Sequence, residues 1–396
     1  MAADREYDVA LFGATGYTGG LTAEYLARRA GGSIRAALAG RDGRRLAEVR
    51  ERLAQHNAAW SELPLIEADA SDPDSLRRLA ESTRVLITTV GPYIKYGEPV
   101  VAACAAAGTD YVDLAGEPEF VDWVWLRYHA QARQTGARLV HCCGFDSIPH
   151  DLGVLFTVGQ MPEGVPLAIR GFVRAGGRFS GGTYQTAVTA MGRLRQAAAV
   201  AAERRRREPR PANRRVKGVM GLPRQEALAG GWIVPFPSID PQIVLRSARA
   251  LDRYGPDFSY GHYLAVGSLA TVAALGVGTA SMVALAQTPP TRKLLLGLRA
   301  AGDGPSPEQR ERARFRVRFL GEGGGRRVIT EVSGADPGYG ETAKMVSEAA
   351  LCLAEDELPE LSGQLTPAMA MGQRLIDRLS AAGIRFEVRE ATRTVG

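Results

Sequence analysis

Val9-Ala-Leu-Phe-Gly13-Ala-Thr-Gly16-Tyr-Thr-Gly19-Gly20 is a short apolar run that breaks into glycines spaced three apart. Val9 to Phe12 reads as a buried parallel strand, and Leu21 to Arg29 reads as a helix. Between them, a tight turn at Gly13, close approach of backbone to a phosphate at Gly16 and close helix packing at Gly19 each exclude a Cβ. The helix N-terminus, with unpaired N–H groups and the positive end of the dipole, favours an anion. A glycine triplet alone is weak evidence for a ligand. Set between a strand and a helix near the start of the chain, it predicts a dinucleotide cradle.

Ser33 to Ala39 is a second apolar run, and it ends in Gly40-Arg41. About 20 residues past the glycines an NAD-binding chain offers an acid to the ribose 2′-hydroxyl. Arg41 stands there instead and suits a 2′-phosphate, so NADP is the expected cofactor. Arg44 and Arg45 read as solvated loop charges. Pro64 to Ala68 is the third strand; Asp69 and Ala70 at its carboxyl end are placed to touch the adenine, and Asp72 caps the next helix. Arg84 to Val90 is the fourth strand, broken by Gly91-Pro92-Tyr93. Ligands of doubly wound sheets lie outside the carboxyl ends of the strands, which puts Gly91 and Pro92 beside the nicotinamide half, with Tyr93, Lys95 and Tyr96 close by. Tyr111 to Glu117 supplies the fifth strand and a turn, and Ala137 to Cys143 the sixth, ending in Gly144-Phe-Asp-Ser-Ile-Pro149. This alternation specifies an α/β fold, with an N-terminal Rossmann doubly wound parallel sheet over residues 1–150.

At 396 residues and 45% hydrophobic content, the chain has room for two or three domains with ordinary cores. Met1 to Asp8 carries acids and enters a strand directly, without the basic and apolar regions of a secretion signal, so a cytoplasmic location is expected. Cys104, Cys142, Cys143 and Cys352 show no CxxC spacing and read as packed, reduced thiols. A net charge of +6 is modest for this length and requires no nucleic acid partner.

Past Pro149 the alternation stops, and residues 151–335 read as an α+β substrate and oligomerisation domain. Leu167 to Val173 is a strand of a second sheet, and Thr183 to Ala202 is a helix behind the flexible stretch Gly176 to Gly182. Arg204 to Arg207, followed by Arg210, Arg214, Arg215 and Lys217, reads as a solvated face or as a docking surface for an acidic partner: a carrier protein, a phosphopantetheine or CoA phosphate, or an anionic membrane. Trp232 to Pro237 and Gln242 to Leu245 are strand-like. Leu264 to Gln287 runs for 24 residues without a charge, but glycine, serine and threonine dilute its hydrophobicity. A buried or acyl-lining helix is expected there, ahead of a membrane-touching segment and a true span. Arg292, Lys293 and Arg299 around Leu294 to Leu296 suit a peripheral anchor on the cytoplasmic membrane face. Gly302 to Pro307 is a linker by composition, and two alternating runs, Phe315 to Phe319 and Arg327 to Val332, form an antiparallel hairpin. Residues 336–396 read as a C-terminal helical segment that returns to the first domain.

Gly13 to Gly19, Ala39-Gly-Arg41, Val90-Gly-Pro-Tyr93, Cys104 to Glu117 and Gly144 to Pro149 resemble the saccharopine dehydrogenase-like oxidoreductases. Ser180-Gly-Gly-Thr183, Asp336 to Ala343 and Leu365 to Gly372 are similar to one branch of them, the actinobacterial trans-acting enoyl reductases. The resemblance implies an NADP-linked reductase that serves a polyketide synthase lacking its own enoyl reductase module, in lipid or glycolipid biosynthesis. It implies cofactor contacts at Gly13, Thr15, Gly16, Tyr17, Thr18, Gly19, Arg41 and Gly91, and no established catalytic residue. The partners to expect are an acyl carrier protein or the synthase, a lipid-like acyl substrate and a second copy of the chain in a homodimer.

Such a reductase needs a hydride donor, a held acyl thioester and a proton source. Tyr93, Lys95 and Asp146 are the candidate catalytic residues, with His141 and water as further proton sources. A tyrosine beside a lysine is chemically sensible because the ammonium lowers the phenol's pKa. The plainer readings are Tyr93 stacked on the cofactor and His141 as a core histidine. No metal motif is present, and no metal is expected. Two other functions stay open: an amino-acid dehydrogenase of the saccharopine type, and a non-catalytic NADP-binding scaffold at the membrane.

Overall fold

The computed structural model describes residues 5–29, 34–176, 181–298 and 306–393. The stretch 177–180, most of the glycine-rich approach to the helix near Thr183, and most of the linker Gly302 to Pro307 lie outside them. The first half alternates strand and helix: β1 (Tyr7–Phe12), α1 (Tyr17–Arg29), β2 (Ala36–Gly40), α2 (Gly43–Ala54), β3 (Leu65–Glu67), α3 (Pro73–Ser82), β4 (Thr83–Thr88), α4 (Tyr93–Ala107), β5 (Asp110–Asp113), α5 (Pro118–Thr135), β6 (Arg138–Val140) and α6 (Ile148–Gly159). Then follow β7 (Leu167–Ala175), α7 (Gly181–Met191), α8 (Leu194–Arg207), β8 (Arg215–Val219), β9 (Arg224–Glu226), β10 (Gly231–Pro235), α9 (Asp240–Ala250), β11 (Asp257–Val266), α10 (Leu269–Ala286), α11 (Pro289–Gly297) and α12 (Pro307–Arg312). The chain closes with β12 (Phe315–Gly323), β13 (Arg326–Gly334), α13 (Gly340–Glu355), β14 (Gly363–Leu365), α14 (Pro367–Ala370), α15 (Gly372–Ala381) and β15 (Arg385–Arg393).

Val9 and Leu11 point to one face of β1 and join Val85 and Ile87; Ala10 and Phe12 point to the other and join Leu86 and Tyr111. Both faces of the strand are covered, which is why these runs are apolar throughout rather than alternating. The first sheet has the order β14-β6-β5-β4-β1-β2-β3, and every pairing in it is parallel. β1 lies between β2 and β4, so the winding reverses above Gly13, where a doubly wound sheet binds its ligand. The second sheet has the order β15-β13-β12-β7-β11-β10-β9, with β8 also paired to β11. α6 links the two: it leaves the carboxyl end of β6 and presses Gly153 against Phe319 and Val332 of the second sheet.

The α/β class, the doubly wound sheet and the return of the last segment to the first domain are as expected. That segment also holds two unexpected strands, β14 on the edge of the first sheet and β15 on the edge of the second. Gln242 to Leu245 is helical rather than a strand: Pro241 starts α9, and Ile243, Val244 and Ser247 recur on its buried face. The helix expected from Thr183 to Ala202 is two helices, α7 and α8, and α8 runs on through all four arginines.

The charge-free segment forms α10, and among its described residues only Ala286 is buried. Leu269 is 57% and Val277 69% exposed. This overturns the expectation of a buried helix. The segment is apolar on every side, which suits a core or a lipid phase, yet it stands clear of the core, tethered at its end by Ala286 against Val188 and Leu295. By length and composition α10 is able to cross a membrane.

Candidate active site

The glycine turn has the geometry its spacing implies. Gly13 adopts φ +93°, and a Cβ on Gly19 would lie 2.1 Å from the Gly13 carbonyl oxygen. Gly16 donates its N–H to that oxygen at 3.0 Å, and α1 begins at the next residue. Thr89, just past β4, donates its N–H to Phe12 at 3.0 Å, which holds the end of that strand and Gly91 beside the cradle. The ring of Tyr17 meets Tyr339, ahead of α13, edge to face at 4.7 Å, so the C-terminal segment closes onto the cradle. Thr15 and Thr18 sit half-buried on the same turn.

Arg41 is exposed just past β2. Asp69 and Ala70, half-buried, follow the next strand over. The Asp69 carboxylate accepts from the N–H and hydroxyl of Ser71 at 2.8 and 2.7 Å. That backbone bond first, then the hydroxyl, with a smaller contribution from the Arg41 charge, hold its carboxyl below the usual range. Arg45 is more than a solvated charge, since it donates to the Thr15 carbonyl at 3.3 Å. A turn closed to a Cβ at Gly13 and Gly19, a helix N-terminus and a cation just past β2 fit a dinucleotide with a 2′-phosphate.

The expected pairing of Tyr93 with Lys95 is corrected by the structure. Tyr93 is buried; its hydroxyl donates to the Thr88 carbonyl at 3.0 Å and accepts from Leu114 N–H at 3.1 Å. Burial first, then the charge of Asp113, push its phenol up, not down. Lys95 is exposed and lies 5.3 Å from the ring centroid of Tyr96. Tyr93 braces the turn instead, and Glu117 completes the brace by accepting from Tyr93 and Ile94 N–H at 2.9 and 3.3 Å. Pro92, half-buried, supplies no side-chain cap to α4, so the Glu117 carboxylate takes that place. Burial pushes Glu117 up to about 7. His141 is a core histidine, its Nδ1 2.7 Å from Asp113 Oδ2. All four thiols are buried.

Asp146 lies past the carboxyl end of β6, the end of the sheet that carries the glycine turn. It is half-buried beside Gly116, and burial together with the negative charge of Asp240 pushes it up to about 7. Behind it lies a group that sequence reasoning missed: His150 Nδ1 is 3.2 Å from Asp240 Oδ1, and His262 Nε2 is 3.4 Å from Asp240 Oδ2. Tyr260 meets the other nitrogen of His262 at 2.9 Å, and the hydroxyls of Ser147 and Ser238 reach Asp240. Among the described residues these three side chains are the set able to hold a cation, their ligand atoms lying within 4.8 Å of one another. They come from α6, α9 and β11, far apart in sequence, so no spacing announces them.

Residues 9–140 match the saccharopine dehydrogenase NADP-binding domain. A Mycobacterium tuberculosis H37Rv protein bearing a trans-acting enoyl reductase name is 40% identical over 425 residues, covering 98% of either chain. The chain belongs to the saccharopine dehydrogenase-like oxidoreductases. Within that family, the trans-acting enoyl reductase of Mycobacterium ulcerans is 37% identical over 97% of this chain and 98% of its own. The family fold extends to a solved structure, the apo saccharopine dehydrogenase of Saccharomyces cerevisiae, at TM-score 0.54 and 11% identity over 97% of this chain and all of that one. The chain is therefore an oxidoreductase of this family, and its cofactor is NADP. When bound in its reduced form, the cofactor would supply the hydride, and Gly13 to Gly19, the α1 amides and Arg41 would hold it.

Proposed function

We propose that this protein is an NADPH-dependent enoyl reductase that saturates the Cα–Cβ double bond of an acyl thioester built by a polyketide synthase for lipid or glycolipid assembly. The observation that carries the reading is that similarity to the trans-acting enoyl reductases runs through the second sheet and the C-terminal segment, well past the cofactor domain. Hydride addition at Cβ leaves a carbanion at Cα, conjugated with the thioester carbonyl, and one proton from Asp146 completes the saturated product. A carboxyl with its pKa near 7 holds that proton at neutral pH and releases it when a basic carbon forms beside it. The exposed α10, with Lys293, Leu294 and Leu298 exposed on and after α11, supports a peripheral contact with a membrane surface, where such acyl chains partition.

The test is NADPH consumption by the purified protein on a trans-2-enoyl thioester, with mass analysis of the product. Saturation of the double bond, dependent on NADPH, is the expected result. Turnover of saccharopine-type imines instead would move the protein to the amino-acid dehydrogenases, and binding of NADPH with no reduction of either substrate would favour a scaffold.

A further inference from the structure

Arg205, Arg210, Arg214, Arg215, Lys217 and Arg249 line one cleft of about 530 Å³ between the end of α8, the start of β8 and the end of α9. The acid in its lining, Glu208, is already held by Arg204 at 2.7 Å. Arg215 is paired with Asp257 at 3.2 Å. Arg214 is anchored at 3.1 Å to Asp252 and to the carbonyls of Ala248, Leu251 and Gly255. Arg205, Arg210, Lys217 and Arg249 make no hydrogen bond or ion pair among the described contacts. Basic residues at helix C-termini are commonly there for the dipole, and that accounts for Arg205 and Arg249, which lie in last turns. It does not account for Arg210, which lies outside any helix, or for Lys217 on β8. Arg249 also lies within the field of Glu208, but that single acid faces six cations around one cleft, a surplus that suits an anion, and guanidinium forks match phosphate oxygens.

The cleft has a fixed relation to the candidate active site. α9 begins at Asp240, behind Asp146, and Arg249 lies nine residues further on, about 14 Å along the helix axis. A pantetheine arm separates a phosphate from its thioester sulfur by a distance of that order. We infer that this cleft binds the phosphate of the thioester handle, whether in free coenzyme A or in the phosphopantetheine of a carrier protein. The inference rests on the enoyl reductase reading for its choice of ligand.

Binding and turnover separate the two. Calorimetry with coenzyme A, 4′-phosphopantetheine and pantetheine, none of which requires reduction, is expected to show that most of the affinity is kept in phosphopantetheine, is lost in pantetheine and weakens with added salt. The exposed pair Arg210→Ala and Lys217→Ala, checked by circular dichroism and NADPH affinity, is expected to weaken coenzyme A binding about tenfold, the loss of about 1.4 kcal/mol. The preference for an enoyl-CoA over the matching N-acetylcysteamine thioester should collapse toward one in the same variant. Unchanged affinity of the double variant for both coenzyme A and a phosphopantetheinylated carrier protein overturns the cleft. Failure to reduce either thioester overturns the reductase reading while leaving the binding result intact. A tenfold loss seen with a phosphopantetheinylated carrier protein but not with coenzyme A assigns the site to the carrier-bound phosphate.

Discussion

Arg204 donates Nη1 to Asp122 at 3.3 Å, and the two side chains are 4% and 5% exposed. The first arginine of a run of four is thus a buried strut. It also donates to Gln364 at 2.8 Å and lies over the Trp125 ring, while Arg246 and Gln242 from α9 reach the same Asp122. One carboxylate ties α5, α8 and α9 together. Asp122→Ala should destabilise by about 3–5 kcal/mol, because it leaves the buried Arg246 guanidinium without its carboxylate and takes from Arg204 one of its two. Arg206, exposed and paired only with Glu203, should change stability by less than about 0.5 kcal/mol when replaced by alanine. Urea unfolding of the two variants compares them directly, and similar losses would contradict the strut.

Gly19→Ala places a methyl group 2.1 Å from the Gly13 carbonyl oxygen, so backbone rather than a flexible side chain must shift to admit it. A clash of about 3 kcal/mol borne only by the binding-competent turn corresponds to roughly a 100-fold loss of NADPH affinity. Fluorescence titration measures it; near-normal affinity would mean that the turn relaxes.

Arg41→Ala removes the exposed cation just past β2, where a 2′-phosphate would lie. NADPH affinity should fall by about 10- to 100-fold, the size of a charge-assisted bond, while NADH affinity stays within about twofold. Arg45→Ala should add to the loss, because Arg45 holds Thr15 on the same side of the cradle. Equal losses for both nucleotides would assign Arg41 to the fold rather than to the phosphate.

Asp146 has its carboxyl raised from 3.8 to about 7, chiefly by burial. As a proton donor it is competent below that value, so the rate should decline as pH rises through about 7, and Asp146→Asn should lower kcat by about 100-fold or more and remove that limb. Stability moves in a defined direction too. Between pH 3.8 and about 7 the unfolded carboxyl has ionised and the folded one has not, so the contribution of Asp146 to stability is full at the acid end and is lost as pH rises through about 7. Asp146→Asn should therefore gain on the native protein in thermal melts at pH 8 relative to pH 4. A gain of equal size at both pH values would remove the raised pKa from the account.

Much of the first domain was legible because its signals are local. A glycine that must lack a Cβ, a proline that starts a helix and a strand buried on both faces each declare themselves within a few residues. Arg41 was legible for the same reason, being defined by its distance from the glycines. Tyr93 and Lys95 were misread because two residues apart on a helix do not face each other; the lysine turns to Tyr96 and solvent, and the tyrosine turns inward. Glu117 was quoted as part of a motif without a role, since its task of capping α4 depends on how β5 sits beside β4.

From the sequence alone came the NADP cradle, the parallel sheet and the two-domain plan, because periodicity and steric exclusion act between neighbours along the chain. The tertiary structure alone decided that His150, Asp240 and His262 converge behind Asp146, that Arg204 is buried while Arg210 is exposed with no partner among the described residues, and that α10 stands out from the core. The reason is physical: burial and charge pairing are set by which elements pack together, and the partners that decide them lie tens to hundreds of residues away.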